Sequence, residues 1–475
     1  MLSVTGLLVC IFSASVVPPI LISWFYQDGE THNLLAAFFI ILGTGQLLWL
    51  TNRRRPPRIR RQEGFLVVVL FWILLGSLGA LPFMLSLRLG FVDALFESVS
   101  GLTTTGATVL EGLDRMHPSI LFYRQEIQWF GGMGLVVLAV AILPVLGIGG
   151  MSLYRAEIPG PMKEERIVPR LSSSSRNLWL LYLFITAACA FCYWLAGMSP
   201  FDAVAHSLTT VSTGGFSTHD ASLGYFHSAT IEMIAVVFMI VGAINFGVHF
   251  TALQRRSLRP YWHDVEVRGF LGFVALATGL ITLGLWLTHY YGGVLADLRN
   301  AIFEVVSIIT STGYGTVDFT AWPPVFPTLL IAISFIGGCG GSTAGGMKVL
   351  RVLILFRLGL REIVRLTHPR GVFLVKLNGR PIPAATLQSI LGFFSVYVAS
   401  FATLMLAMMA TGLDQVSAYA AIATCLNNLG PGLGEVATSF AGVSDAGKVI
   451  GVVAMLLGRL EVFSVLVLLH PDFWR

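Results

Sequence analysis

Long apolar runs separated by short polar segments dominate the chain. Runs of about 20 residues, the length that crosses a hydrocarbon core of about 30 Å, lie near 4–25, 33–51, 64–87, 127–149, 177–197, 230–252, 269–290, 326–356, 384–410 and 447–469. This pattern predicts ten membrane spans. The eighth run is too long for one helix and is interrupted by "GGCGGSTAGG" at 337–346, six glycines in ten residues. Glycine gains most backbone freedom on leaving a helix, so a continuous helix there is not expected.

After the third, fifth, seventh and ninth spans a short amphipathic stretch leads into a small polar cluster. The four stretches are "DALFESVSGLTTTGAT" (93–108), "DAVAHSLTTVSTGGFS" (202–217), "NAIFEVVSIITSTGYG" (300–315) and "SAYAAIATCLNNLGPG" (417–432). Asp93, Asp202, Asn300 and Ser417 each precede an alanine, and Gly106, Gly215, Gly313 and Gly430 each follow 13 residues later. Four matches at one offset, each between two spans, mark internal repetition. The units run over 62–150, 177–254, 268–358 and 383–470. Each holds two spans, so successive units cross the membrane in the same direction and can close around one axis along its normal. The fold expected is an all-α polytopic membrane protein of four pseudo-fourfold M1–P–M2 repeats, with re-entrant pore loops around a central pore. Asp93, Asp202, Asn300 and Ser417 resemble N-caps. The ten or so residues after each make a helix of about 15 Å, half a bilayer.

Composition agrees. The 475 residues are 55% hydrophobic and 12% charged, with mean hydropathy +0.78, too little charge to cover a soluble surface. The net charge of +5 is a topology signal and no nucleic-acid footprint: 24 of the 30 Lys and Arg lie in 53–61, 155–176, 255–268, 348–380 and at Arg475. Segments 216–230, 314–325 and 431–447 have none. That alternation puts both termini on the cytoplasmic side and has the half-helices enter from outside. The first run lacks a basic n-region and a clear cleavage site, so it reads as a retained helix. The cysteines Cys10, Cys189, Cys192, Cys339 and Cys425 read as reduced, buried thiols, because "CAFC" has no companion metal ligands.

Non-helical backbone at membrane depth must be buried in protein or face water. Residues 103–106 and their counterparts read as extended backbone at that depth, with carbonyls that need partners. A dehydrating cation supplies the need, since rings of carbonyls can replace a hydration shell. Glycine permits positive φ and close approach, and converging helix C-termini favour positive charge. No cluster contains a carboxylate, which suits a monovalent ion better than a divalent one. The competing reading is small residues easing helix packing.

The chain resembles the membrane subunits of bacterial Trk potassium-uptake systems, the TrkH family, in the wider superfamily with KtrB, KdpA and the plant HKT transporters. The likeness runs over essentially the whole chain and rests on "TTTGAT", "GGFSTHDAS" (214–222), "GSTAGGMKVLR" (341–351), "NNLGPGLGEV" (427–436) and "GRLEVFSVLVL" (458–468). It implies a homodimer in the bacterial inner membrane, one pore per protomer, and gating by a cytosolic TrkA-like nucleotide-binding ring. It makes residues 1–52 an extra pair of helices before the repeats. The filter it implies comprises Thr104, Thr105 and Gly106; Thr213, Gly214 and Gly215; Ser311, Thr312 and Gly313; and Asn428, Leu429 and Gly430, acting mainly through backbone carbonyls. The gate it implies comprises Gly337, Gly338, Gly340, Gly341, Ser342, Thr343, Gly345 and Gly346, with Arg459 as an electrostatic barrier beneath the filter. A salt bridge from Arg459 to Glu461, or a carbonyl contact, is the alternative. "GYG" occurs in the third cluster only (313–315), so a short filter passing K+, Rb+ and to some degree Na+ is expected, with no organic cofactor.

Other readings stay open. Asn245 and His249, at i and i+4, suit an interhelical hydrogen bond better than ion binding. Glu97 and Glu304, at one repeat position, suit packing better than pore lining. "GGSTAGGMK" lacks the G-K-[ST] ending of a phosphate loop. Proton- or sodium-coupled symport would need a titratable group on the path, for which His206 and Asp202 are the nearest. An intramembrane enzyme would need a nucleophile–base spacing around Ser342 or Cys339 that the sequence does not offer.

Overall fold

The computed structural model describes residues 2–52, 61–134, 171–377 and 379–474. The described chain is helical apart from turns and one short antiparallel pair, Lys376–Leu377 with Arg380–Pro381. Six helices are long and apolar enough to cross a bilayer: Leu2–Tyr26, Thr31–Asn52, Phe65–Leu87, Arg176–Leu195, Val265–Leu287 and Ala384–Met409. The chain is a multi-span membrane protein.

Three other expected spans are broken, each for a local reason. Ala229–Ala243 and Phe246–Arg255 meet at 97°. Ile244 is extended, and the Asn245 side chain caps the second piece by accepting the Gly247 N–H at 2.7 Å. Asp445–Arg459 and Phe463–Leu469 meet at 104°, where Glu461 and Val462 have left-handed φ of 55° and 45°. The run at 326–356 is a ten-residue helix, Val325–Ser334, then irregular chain, then the amphipathic helix Val349–Thr367. The span expected at 127–149 starts within Pro118–Trp129 and continues as a π turn to Gly134. Its remainder, the basic run at 53–60 and most of 155–176 lie outside the described residues.

Between these spans sit four short helices: Phe91–Leu102, Pro200–Val211, Val294–Ile309 and Gln415–Asn427. At 1.5 Å per residue the 12- and 13-residue ones reach about 18–20 Å, short of a bilayer. Their C-terminal halves are buried and form the middle of the molecule, with Phe303, Val305, Ile309, Ala421, Ile422 and Phe96 among the most deeply covered side chains. The first two helices pack on the outside of this centre. They touch at Gly6 and Gly45, where an added Cβ on Gly6 would come within 2.8 Å of the Gly45 carbonyl. Apolar burial drives little helix association in lipid, so contact this close rests on small residues and packing.

Candidate functional site: a ring of four helix ends

The four short helices end identically. In the first, Thr104 N–H bonds Gly101 O at 2.9 Å and Thr105 N–H bonds Ser100 O at 2.8 Å. The second pairs Thr213 with Thr210 and Gly214 with Thr209; the third Ser311 with Ile308 and Thr312 with Ser307; the fourth Asn428 with Cys425 and Leu429 with Thr424. This is the Schellman closure, in which a left-handed residue turns the chain back and the last N–H groups return to the helix. The left-handed residues are Thr104, Thr213, Ser311 and Asn428, with φ between 53° and 55°. Glycine usually occupies this position, and a residue with a Cβ costs about 1–2 kcal/mol there. Two residues on, Gly106, Gly215, Gly313 and Gly430 turn left-handed again, with φ of 80°, 78°, 80° and 96°. The extended backbone expected at 103–106 is therefore a double left-handed turn.

The four ends meet head to tail. A Cβ added to Gly106 would collide with Gly214 O, one on Gly215 with Thr312 O, one on Gly313 with Leu429 O, and one on Gly430 with Thr105 O at 2.8 Å. Each glycine thus packs on the carbonyl that precedes the next cluster's glycine, and the fourth returns to the first. The result is a closed ring that only glycine permits. Among the described residues, no N–H or O–H donates to the carbonyls of Thr104, Thr105, Gly106, Thr213, Gly215, Ser311, Thr312, Gly313, Asn428, Leu429 or Gly430; Gly214 O accepts the Gln128 amide N–H at 2.7 Å. Thr105 and Thr312 turn their hydroxyls back to Thr103 and Thr310, both at 2.7 Å. The threonine side chains therefore brace the helix ends while the carbonyls stay uncommitted.

Glu97, Glu304 and His206 hold the chain as it leaves the ring, with Gln128, Arg124 and Tyr314, which the sequence did not single out. Glu97 accepts the Val109 N–H at 3.0 Å and the Thr108 hydroxyl at 2.9 Å. Glu304 accepts the Thr316 N–H at 3.1 Å, and His206, at the same repeat position, bonds Ser217 Oγ at 3.0 Å through Nε2. The expectation of a packing role for Glu97 and Glu304 fits this geometry, and His206 joins them as the repeat equivalent. Gln128 accepts the Phe216 N–H at 3.0 Å and so clamps both sides of Gly215. Arg124, fully buried, pairs with Glu97 at 2.7 Å, reaches Ser217 O at 3.1 Å and stacks over Phe216. Tyr314 bonds Thr209 and donates to His206 O at 3.1 Å. The signal available in the sequence was "YRQEIQW" at 123–129, too polar for a lipid-facing helix.

Below the ring lies the glycine-rich segment 337–346. Thr343 Oγ1 donates to Val211 O and Gly242 O at 3.1 and 3.0 Å, and Cys339 N–H bonds Ala243 O at 2.9 Å. Gly345 N–H donates to Ser311 Oγ at 2.5 Å, and Gly346 N–H to Asn427 O at 3.1 Å. Glu266 holds the segment's far side, accepting from Gly340 N–H at 2.6 Å and Leu350 N–H at 3.2 Å. Gly337, Gly338, Gly341 and Ser342 complete it: Gly341 O accepts the Phe246 N–H and Ser342 Oγ donates to Cys339 O at 2.6 Å. Arg459 reaches the segment from the last helix. Its guanidinium donates to Gly131 O at 2.5 Å, Gly132 O at 2.7 Å, Thr343 O at 3.1 Å and Thr104 Oγ1 at 3.2 Å. Of the two alternatives to a pore role, the carbonyl contact is the one formed, and Glu461 pairs with Arg351 at 2.6 Å.

Comparison with known proteins covers nearly the whole chain. Residues 30–474 match the family model TrkH, cation transport protein. The chain belongs to the TrkH family. It is 50% identical to the Trk system potassium uptake protein TrkH of Escherichia coli strain K12 over 474 residues, covering 99% of this chain and 98% of that protein. The Trk system potassium uptake protein TrkG of the same strain is 39% identical over 99% of this chain and 97% of its own. The crystal structure of the potassium transporter TrkH from Vibrio parahaemolyticus superposes with a TM-score of 0.91 at 47% identity, over 100% and 99% of the two chains.

One expectation for this TrkH-family chain needs correction. Asp93, Asp202 and Ser417 are not caps: they sit third in their helices, after Gly90, Ser199 and Asp414, and Asn300 lies well inside a helix that starts at Val294. Ser199 accepts the Asp202 N–H at 3.0 Å and returns its hydroxyl to that carboxylate, while Asp93 pairs with Lys448 at 2.6 Å. The interhelical hydrogen bond expected at this pair is formed by His249, while Asn245 caps the same helix at the bend. His249 bridges the bend through Val241 O at 2.9 Å and meets the Tyr261 hydroxyl at 2.8 Å. The five cysteines are free.

Outside the ring, His219 ties two loops together. Its ring stacks on Tyr225 with centroids 3.5 Å apart, and Nδ1 meets Asp114 at 2.5 Å. Burial alone would lower the imidazole pKa, but the carboxylates of Asp202, 3.6 Å from Nε2, and Asp114 outweigh it and hold it above 6.5. The hydrogen bond from His219 keeps Asp114 below 3.8.

Proposed function

We propose that this chain takes up potassium ions across the bacterial inner membrane by gated, channel-like conduction through the ring of four helix ends. The ring of uncommitted carbonyls carries this reading: four equivalent turns, closed glycine-to-carbonyl around one axis, supply neutral oxygens at membrane depth. Oxygen rings of this kind replace the hydration shell of a monovalent cation, and the helix C-termini converging on it favour positive charge. The oxygens are those of Thr104, Thr105 and Gly106 and their counterparts at 213–215, 311–313 and 428–430. Segment 337–346 and Arg459 form the barrier beneath, the segment as a movable plug and the guanidinium as an opposing charge. Relatives named potassium uptake proteins of a Trk system over nearly the whole length support the ion and the direction. On this reading the chain works as a homodimer with cytoplasmic termini under a TrkA-like nucleotide-binding ring, and Rb+ and some Na+ also permeate.

The test is Gly106→Val and Gly313→Val in proteoliposomes loaded for 86Rb+ uptake. Both residues have left-handed φ, and a side chain at either would strike a neighbouring carbonyl. Flux is expected to vanish while each variant still inserts and elutes as the wild type. Normal flux with unchanged ion preference in both would refute the proposal.

A further inference from the structure

Thr104, Thr213, Ser311 and Asn428 occupy the one helix-end position where glycine is strain-free, yet none is glycine. Strain repeated four times at equivalent sites points to side chains that are needed there. Their partners show the need. Thr104 Oγ1 accepts from Arg459 at 3.2 Å. Thr213 Oγ1 donates to Ser212 O at 2.7 Å and lies 3.1 Å from Thr343 Oγ1. Ser311 Oγ accepts from Gly345 N–H at 2.5 Å. Three of the four therefore meet the barrier, one each at Arg459, at the middle and at the end of segment 337–346. Asn428 donates instead to Thr105 Oγ1 at 3.0 Å and Met455 O at 3.1 Å, locking the fourth cluster to the first.

We propose that these side chains are the joint between filter and gate, and that Thr104, Thr213 and Ser311 form a cation site that exists only when the gate is displaced. With segment 337–346 and Arg459 in place, the three oxygens are covered by protein contacts. Withdrawal of the barrier frees lone pairs on Thr104 Oγ1 and Ser311 Oγ and uncovers Thr213 Oγ1, whose proton stays on Ser212 O, and a dehydrated monovalent cation at the inner side of the ring then satisfies the three oxygens. Gate position and ion preference are thereby linked: whatever moves the segment also changes the oxygens offered to the ion, and an ion bound there opposes return of the segment. The proposal rests on reading the ring as the filter and the segment as the gate.

Glycine substitution separates this from a merely structural role. Thr213→Gly and Ser311→Gly remove the oxygen and relieve the backbone strain, so their thermal stability should match or exceed that of the wild type. In proteoliposomes of the full chain, 86Rb+ flux without a partner protein should rise several-fold, and the preference for Rb+ over Na+ should fall about tenfold. Thr213→Ser keeps the hydroxyl and should behave as wild type. Thr343→Val removes the same contact from the other side without touching the ring, and should raise flux in the same way even if a glycine variant folds poorly. Wild-type basal flux and ion preference in Thr343→Val and in either glycine variant would overturn the joint, as would Thr213→Ser behaving like Thr213→Gly. Gly313→Val distinguishes the two levels. If it abolishes flux while the hydroxyl variants are silent, the filter stands and the joint falls. If it leaves flux intact, the filter reading falls and the joint with it.

Discussion

Arg124 offers the sharpest test of how the ring is supported. Its guanidinium and the Glu97 carboxylate are 1% and 0% exposed and 2.7 Å apart. Removing one member of a buried pair leaves the other charge unpaired and costs about 3–5 kcal/mol. In Arg124→Gln the remaining Glu97 still accepts from Val109 N–H and Thr108 Oγ1, which places the cost near the lower bound, about 3 kcal/mol. Unfolding entropy of about 2.1 cal/mol/K per residue amounts to about 1 kcal/mol/K for a chain of this size, so Tm should fall by about 3 °C. The double variant Arg124→Met with Glu97→Gln removes both charges and should lie within about 1 °C of wild type, because buried ion pairs are nearly neutral against uncharged replacements. Intrinsic-fluorescence unfolding of detergent-purified protein measures Arg124→Gln, Glu97→Gln and the double variant. Single variants within about 1 °C of wild type, or a double variant that loses the sum of the two, would refute the reasoning.

Two further outcomes follow from the geometry. Arg459→Gln removes a charge that, about 10 Å from a passing cation at an effective dielectric of about 20, raises its energy by about 1.7 kcal/mol; Rb+ leak should rise by roughly 15–20-fold, and unchanged leak in a folded variant would assign Arg459 to structure alone. The His219–Asp114 link has a defined pH window. The raised imidazole pKa makes its contribution complete below 6.5 and lost as pH rises through the folded value, and the lowered carboxyl pKa makes its contribution complete above 3.8 and lost as pH falls through the folded value. Amide exchange at 113–116 and 217–227 should therefore be slowest between about pH 4 and 6.5 once corrected for intrinsic rates, and His219→Gln should remove that dependence. Because Asp114 is well exposed, the effect is local, about 1 kcal/mol or less.

The site was legible in the sequence because repetition survives in one dimension. The 13-residue offset located Gly106, Gly215, Gly313 and Gly430, and all four are the left-handed glycines of the ring. The glycine run at 337–346 announced a broken span for the same reason, since glycine composition acts locally on the backbone. What supports the ring was not legible. Glu97 and Glu304 were visible as a repeat pair, but His206 at the same position has different chemistry and only shared geometry reveals it. Gln128 and Arg124 act on the second cluster from the helix of the first, 86 and 93 residues away from the carbonyls they bond.

By itself the sequence determined the membrane-spanning class and the position of the four left-handed glycines, because span length and glycine placement are properties of short segments. Tertiary structure decided how the helix ends meet, which polar groups are paid for by partners, and where the sixth and tenth runs bend. The Asn245 cap and the turn at 461–462 sit inside runs whose apolar composition alone reads as continuous helix. The same holds for Arg459. Its sequence neighbour Glu461 offered the obvious partner, yet folding gives Glu461 to Arg351 and brings Arg459 to Gly131, Gly132 and Thr343. A partly buried charge takes whichever acceptors the packed helices bring within reach, and in this chain those acceptors lie more than 100 residues away.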